Sequence, residues 1–263
     1  MRCRILAFCA KIICGDSLFR LTGFAATFRR TRTAERSRTV RLQRKLRSIR
    51  QQAEAGLPTG LREANERLVA DLKARGIEAQ AIRAGMAAPD FALPDTLGRT
   101  VSLAEALARG PVVLSFYRGR WCPYCCAELR ALQFVLPQLK ALGASLIAVS
   151  PELPDNSLSP LEKMVLDYSI VSDLGLAVAR AYGLVFRLPE DMRGALLDAG
   201  LNLAKRNGDE GWELPIPATY VLAPSGLVRL AFVDADFTQR FEPQEIVTLL
   251  SEPSGPSPRP DSS

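Results

Sequence analysis

The chain has 263 residues, with 34 Lys+Arg, 28 Asp+Glu, no histidine and 48% hydrophobic content. The missing histidine excludes His-activated nucleophiles and imidazole-based zinc sites, and six cysteines in two groups do not make a disulfide-dense scaffold. The basic excess is local: the first 50 residues hold 14 of the basic and 2 of the acidic residues, so the body is mildly acidic and no nucleic-acid partner is expected.

Residues 1–39 read as a basic leader, disordered or used for targeting. Arg2 and Arg4 precede an apolar stretch, but Lys11, Asp16 and Arg20 interrupt it well short of the ~20 residues a membrane span needs. Val40 to Ala55 predicts a basic amphipathic helix with Leu42, Leu46 and Ile49 on one face, and Leu57-Pro58-Thr59-Gly60 breaks it. A second helix follows over Leu61 to Arg75, carrying Leu61, Leu68 and Leu72. This 40–80 extension reads as a packing or dimer-facing surface rather than a binding site, which leaves a homodimer open.

A core domain is expected over 82–251. An extended opening, Gly85 to Asp95, precedes a short strand at Thr100–Leu103 and a brief helix at Ala104–Arg109. Strand Val112–Tyr117, a basic turn, helix 123–141 and strand Ala144–Ser150 then form a right-handed βαβ unit. Helix Leu161–Leu166, strand Ser169–Val171 and helix Leu174–Tyr182 come next. Leu184 to Gly211 reads as an insertion with one helix, Asp191–Leu197, and a polar loop, Lys205–Gly211. Strand Ala218–Leu222, a Pro-Ser-Gly turn, strand Leu227–Val233 and helix Pro243–Leu250 close the domain, and 252–263 is a Pro/Ser-rich tail. The order predicts an α/β sandwich on a mixed sheet.

The chemistry sits at the turn after the first buried strand, Arg118-Gly119-Arg120-Trp121-Cys122-Pro123-Tyr124-Cys125-Cys126. A Cys-x-x-Cys pair opening a helix suits a redox dithiol, because the helix N-terminus stabilises the reactive thiolate. Two inert cysteines, or half a thiolate metal site, are the plain alternatives. A zinc site needs about four ligands, and only Cys126 is near, turned about 100° away along the helix. No metal and no cofactor are therefore expected. Cys122 precedes the helix and is expected to be the more exposed thiol with the lower pKa, while Cys125 lies one turn in. Cys126 reads as a packed small hydrophobe, Tyr117 as sheet packing, and Trp121 and Tyr124 as a cover over the dithiol.

Several separated segments carry a resemblance. Gly85–Pro94, Ser172-Asp173 with Val178 to Gly183, and Ile216-Pro217-Ala218-Thr219-Tyr220-Val221 resemble, in order, stretches of the alkyl hydroperoxide reductase/peroxiredoxin group, in a branch carrying Cys-x-x-Cys. The resemblance implies a thioredoxin-like three-layer sandwich with a central mixed sheet, here with an N-terminal helical extension. It puts Cys125 on the peroxide-attacking position, Cys122 in place of the family's threonine, and Glu128 on an acid three residues later. It implies a cis Pro217 opposite the dithiol. The family's late arginine falls at Pro217, so Arg118 or Arg120 is the expected source of positive charge.

What the resemblance implies is a thiol peroxidase reducing hydrogen peroxide or alkyl hydroperoxides through a Cys122–Cys125 disulfide, recharged by a thioredoxin-type donor in the cytoplasm. Either thiol can be the attacking one. A protein dithiol–disulfide oxidoreductase and a non-enzymatic redox sensor are the other two readings.

Overall fold

The computed structural model describes residues 41–154 and 166–252. The readings for 1–39, for helix Leu161–Leu166 and for the C-terminal tail fall almost wholly outside these residues. Helices α1 (Arg41–Gly56) and α2 (Thr59–Ala74) match the expected pair to within two residues. Leu42, Leu46, Ile49, Leu61, Leu68 and Leu72 are all buried, and in one cluster with Tyr117, Cys122 and Cys125. At about 1.5–3 kcal/mol per fully buried large aliphatic side chain, this face holds both helices on the domain. Their apolar stripe is thus committed within the chain, against the dithiol end of the sheet.

A five-stranded sheet forms the middle layer. Its strands are β3 (Val112–Phe116), β4 (Ser145–Ser150), β5 (Ser169–Ser172), β8 (Ala218–Leu222) and β9 (Val228–Val233), in the order β5-β4-β3-β8-β9. β3, β4 and β5 are parallel, while β8 and β9 run antiparallel. Every residue of β3 is buried, as a strand covered on both faces requires. Alternation splits it between two cores. Val112, Leu114 and Phe116 pack with α3 (Leu103–Leu107) and α5 (Ala177–Ala181), whereas Val113 packs with α4 (Pro123–Ala141) and α8 (Pro243–Ser251). The result is the expected three-layer sandwich. A small hairpin, β1 (Ala92–Pro94) with β2 (Thr100–Ser102), lies outside it.

Three local readings are corrected. The helix expected over Leu174–Tyr182 is a 3-10 turn followed by α5, because Gly175 and Leu176 are left-handed (φ 75° and 60°) and break the helix between them. The polar loop expected at Lys205–Gly211 begins with a helix, α7 (Leu203–Asn207), capped by the Asn202 side chain accepting from Lys205 N–H at 3.1 Å. The insertion also begins with a strand, β6 (Val185–Arg187), paired with β7 (Glu213–Pro215) just beyond it, and its helix α6 (Glu190–Asp198) packs on α2. Among the described residues no helix is long and apolar enough to cross a membrane.

Candidate active site

Strand β3 ends at Phe116, and the next six residues turn the chain into α4. Gly119 makes that turn possible: its φ is +143°, and a Cβ there would meet Trp121 at 2.5 Å and the Glu152 carboxyl carbon at 2.8 Å. Buried Glu152 holds the turn from below. It accepts from the Arg120 backbone N–H at 2.6 Å and from Arg206 Nε at 2.7 Å, the latter supplied by α7. Cys122 is the N-cap of α4, with Pro123 at its first position. Cys125 therefore sits in the first turn, over the unpaired N–H groups.

Cys122, Cys125 and Cys126 are free thiols, and all three are buried. The expectation that Cys122 is the more exposed thiol is thus wrong. Trp121 and Tyr124 are buried in the same cluster, and the Phe237 ring meets Tyr124 edge-on at 5.8 Å. Cys126 faces elsewhere, its S–H donating to the Arg120 carbonyl at 3.1 Å. Cys122 and Cys125 each shift the other's proton affinity.

Each thiol of this pair has its own guanidinium. Arg118 Nη2 donates to Cys122 Sγ at 3.4 Å, and Arg240 Nη2 donates to Cys125 Sγ at 3.2 Å. Arg118 is buried, its guanidinium 3.7 Å from the Phe237 ring centre and 4.8 Å from that of Trp121. Arg240 is equally buried and forms an ion pair with Glu128, Nε to Oε2 at 2.7 Å. Glu128 in turn accepts from the Thr219 hydroxyl at 3.2 Å, which ties α4 to β8.

Burial would raise both thiol pKa values. At Cys122 the Cys125 S–H bond and the charges of Arg118 and Arg240 outweigh it and lower the pKa well below the ordinary thiol range. Cys125 is pushed well up by burial and by donating to Cys122. The pair therefore loses one proton readily and the second with difficulty. Burial also pushes Glu128 up to about 7, against the opposing pull of Arg240 and Thr219.

Of the six residues singled out beforehand, Cys122, Cys125, Glu128 and Trp121 come together. Arg120 does not join them; its backbone serves Glu152 and Cys126, and burial raises the Glu152 pKa against the opposing charges of Arg206 and Arg120. Pro217 is buried opposite Tyr117 at the dithiol end of β8, but there is no cis peptide bond among the described residues. Positive charge beside Cys125 comes from neither Arg118 nor Arg120 but from Arg240, in the loop before α8 and 115 residues beyond Cys125, and no local pattern in the sequence marks it.

That loop is held by the N-terminal helices. Gln43 Nε2 of α1 donates to the Arg240 carbonyl at 2.9 Å, Arg50 bonds the Thr238 hydroxyl and pairs with Asp236 at 3.4 Å, and Glu78 accepts from Ala235 N–H at 2.7 Å.

A mixed sheet that delivers a dithiol to a helix N-terminus, with two guanidiniums and a buried acid around it, defines a peroxiredoxin-like protein of the thioredoxin superfamily. The AhpC/TSA family model matches residues 84–231, more than half of the chain, and the chain belongs to that family. It is 29% identical over 161 residues to the chloroplastic peroxiredoxin Q of Gentiana triflora, covering 61% of each chain. It is 34% identical over 103 residues to the thiol-disulfide oxidoreductase ResA of Halalkalibacterium halodurans, covering 39% of this chain and 57% of that one. The match thus spans about three fifths of the length of such relatives. Among solved structures, a peroxiredoxin 6 of Arenicola marina superposes with a TM-score of 0.50 at 20% identity, covering 64% of this chain and 72% of that one. This likeness concerns the fold.

Proposed function

We propose that the chain is a peroxiredoxin-type thiol peroxidase that reduces hydrogen peroxide or alkyl hydroperoxides through Cys122 and Cys125. Arg240 against Cys125, backed by Glu128 and Thr219, is the observation that carries this reading: it supplies the positive charge that the family's arginine would otherwise supply. A thiolate attacks one peroxide oxygen, the O–O bond breaks, and the alkoxide leaves and takes a proton to become an alcohol. The attacked oxygen stays on sulfur as sulfenic acid. The other thiol then displaces it as water, forming the disulfide, so one hydroperoxide and two thiols become one alcohol, one water and one disulfide. A thioredoxin-type dithiol restores the pair by exchange.

The family register makes Cys125 the attacking sulfur and Cys122 the resolving one. A specific observation favours the reverse order. Cys122 accepts from Arg118 Nη2 at 3.4 Å, and the pKa of Cys122 is lowered while that of Cys125 is raised. That order also suits a protein dithiol–disulfide oxidoreductase. Stopped-flow oxidation of wild type, Cys122→Ser and Cys125→Ser, with mass spectrometry of trapped sulfenic acid, separates these. Sulfenic acid on Cys125 in Cys122→Ser supports the family order, and sulfenic acid on Cys122 in Cys125→Ser supports the reverse. If peroxide oxidises no thiol in any form, the peroxidase reading fails and disulfide exchange with proteins remains.

A further inference from the structure

A cavity of about 450 Å³ lies beside the dithiol, between α1, α2, α6 and the 236–238 loop. A water molecule's share of the liquid is about 30 Å³, so hydrogen peroxide would leave most of this space empty. Its size is that of a site for a sizeable organic molecule. The walls are mostly hydrocarbon, with Leu61 and Val69 of α2 and Met192, Leu196 and Leu214 among them, and Trp121, Tyr124 and Phe237 line the side nearest the dithiol turn. Both helices lie outside the region matched by the family model.

One buried cation stands at the junction. Arg118 lines the cavity and also reaches Cys122 Sγ. Its Nε is buried without a hydrogen-bond partner, and among the described residues no carboxylate pairs with it. A guanidinium that has no carboxylate partner and an unused Nε–H, at the end of a mostly apolar cavity, favours a ligand with an electron-rich oxygen head and a hydrocarbon body.

We infer that α1 and α2 complete a binding site for hydroperoxides with a bulky apolar body, the body seated in the cavity and the peroxide head beside Arg118. This inference rests on the peroxidase reading. In the step given above, the alkoxide forms on the oxygen attached to the hydrocarbon body, which Arg118 would hold as the O–O bond breaks. Hydrogen peroxide has no body to seat and gains nothing from the cavity.

The test uses cumene hydroperoxide and hydrogen peroxide as substrates, and 2-phenyl-2-propanol, the product of the former, as an unreactive probe. Val69→Trp and Ala53→Trp fill the cavity from two different helices at half-buried positions. Each is expected to lower the ratio of kcat/KM for cumene hydroperoxide to that for hydrogen peroxide about tenfold or more. Ligand-observed NMR should show saturable binding of the alcohol to wild type and its loss in both variants. A ratio that stays constant in folded variants overturns the site, and so does an alcohol that does not bind. Failure of both peroxides to oxidise the wild-type dithiol sinks the peroxidase reading and the hydroperoxide assignment with it, while saturable alcohol binding would then leave an apolar ligand site of another kind.

Discussion

Arg240 Nη2 lies 3.2 Å from Cys125 Sγ, and this one contact restores to the site the charge that Pro217 displaces. The guanidinium is fully enclosed, so its charge acts with little solvent screening. Burial pulls its pKa down, but the interactions with Cys125, Glu128 and Cys122 outweigh it and keep the guanidinium protonated. An opposite charge this near shifts a titrating group by roughly 1–3 pKa units.

Arg240→Met should therefore raise the first pKa of the dithiol by about one unit or more. Thiolate absorbance near 240 nm, followed against pH, reads this directly. Peroxide oxidation should slow about tenfold at pH values below the first pKa, where a one-unit shift is a factor of ten in thiolate. An unchanged titration would remove Arg240 from the site's electrostatics.

The N-terminal helices should matter to the chemistry through the same arginine. Gln43 donates to the Arg240 carbonyl, and Arg50 grips the Thr238 hydroxyl and Asp236. A Gln43→Ala, Arg50→Ala double variant loses hydrogen bonds worth about 0.5–1.5 kcal/mol each. The expected result is a chain that still folds, by circular dichroism, but whose dithiol pKa moves up toward that of Arg240→Met. A lower melting temperature with no change in the titration would mean that the clamp is only structural.

Glu128 gives a pH signature. Its pKa in the folded chain is raised to about 7 by burial, above the ordinary carboxylate value. Between about 4.5 and 7 the folded chain keeps a proton that the unfolded chain has released. The stability this group contributes is complete below that window and is lost as pH rises through about 7. Urea unfolding of wild type should show that fall across the window, and Glu128→Gln should flatten it. An identical slope in both would contradict the assignment.

Gly119→Ala should destabilise the turn that carries the thiols. The added Cβ would overlap Trp121 and Glu152 at 2.5 and 2.8 Å, in a backbone conformation that L-residues rarely adopt. Strain of this kind costs on the order of 1–3 kcal/mol, a lower melting temperature that calorimetry can read. Because Glu152 also holds Arg206, the loss should extend to α7 and appear as faster amide exchange over 203–207.

What could be read beforehand was whatever the chain encodes locally. The leucines of α4 (Leu129, Leu132, Leu136 and Leu139) recur at helical spacing, and all are buried. The apolar run of β3 announces a strand covered on both faces. Gly175 was harder to read, because a glycine within a helical pattern is tolerated as often as it breaks the helix. The helix α7 was missed because a five-residue helix capped by Asn202 has too little periodicity to register.

By itself, the sequence determined the sheet's strands, the dithiol at the head of a helix and the family to which that arrangement belongs. These rest on periodicity, on turn residues and on cysteine spacing, all of which act over a few residues. Only the tertiary structure decided how the site is charged and enclosed. Arg240 meets Cys125 across 115 positions because β8 and β9 return beside β3 and the following loop is pinned by Gln43 and Arg50. Phe237 of that same loop packs on Tyr124 and on Arg118, which donates to Cys122. Charge acts through space, so no spacing along the chain could have revealed which arginine stands beside which thiol.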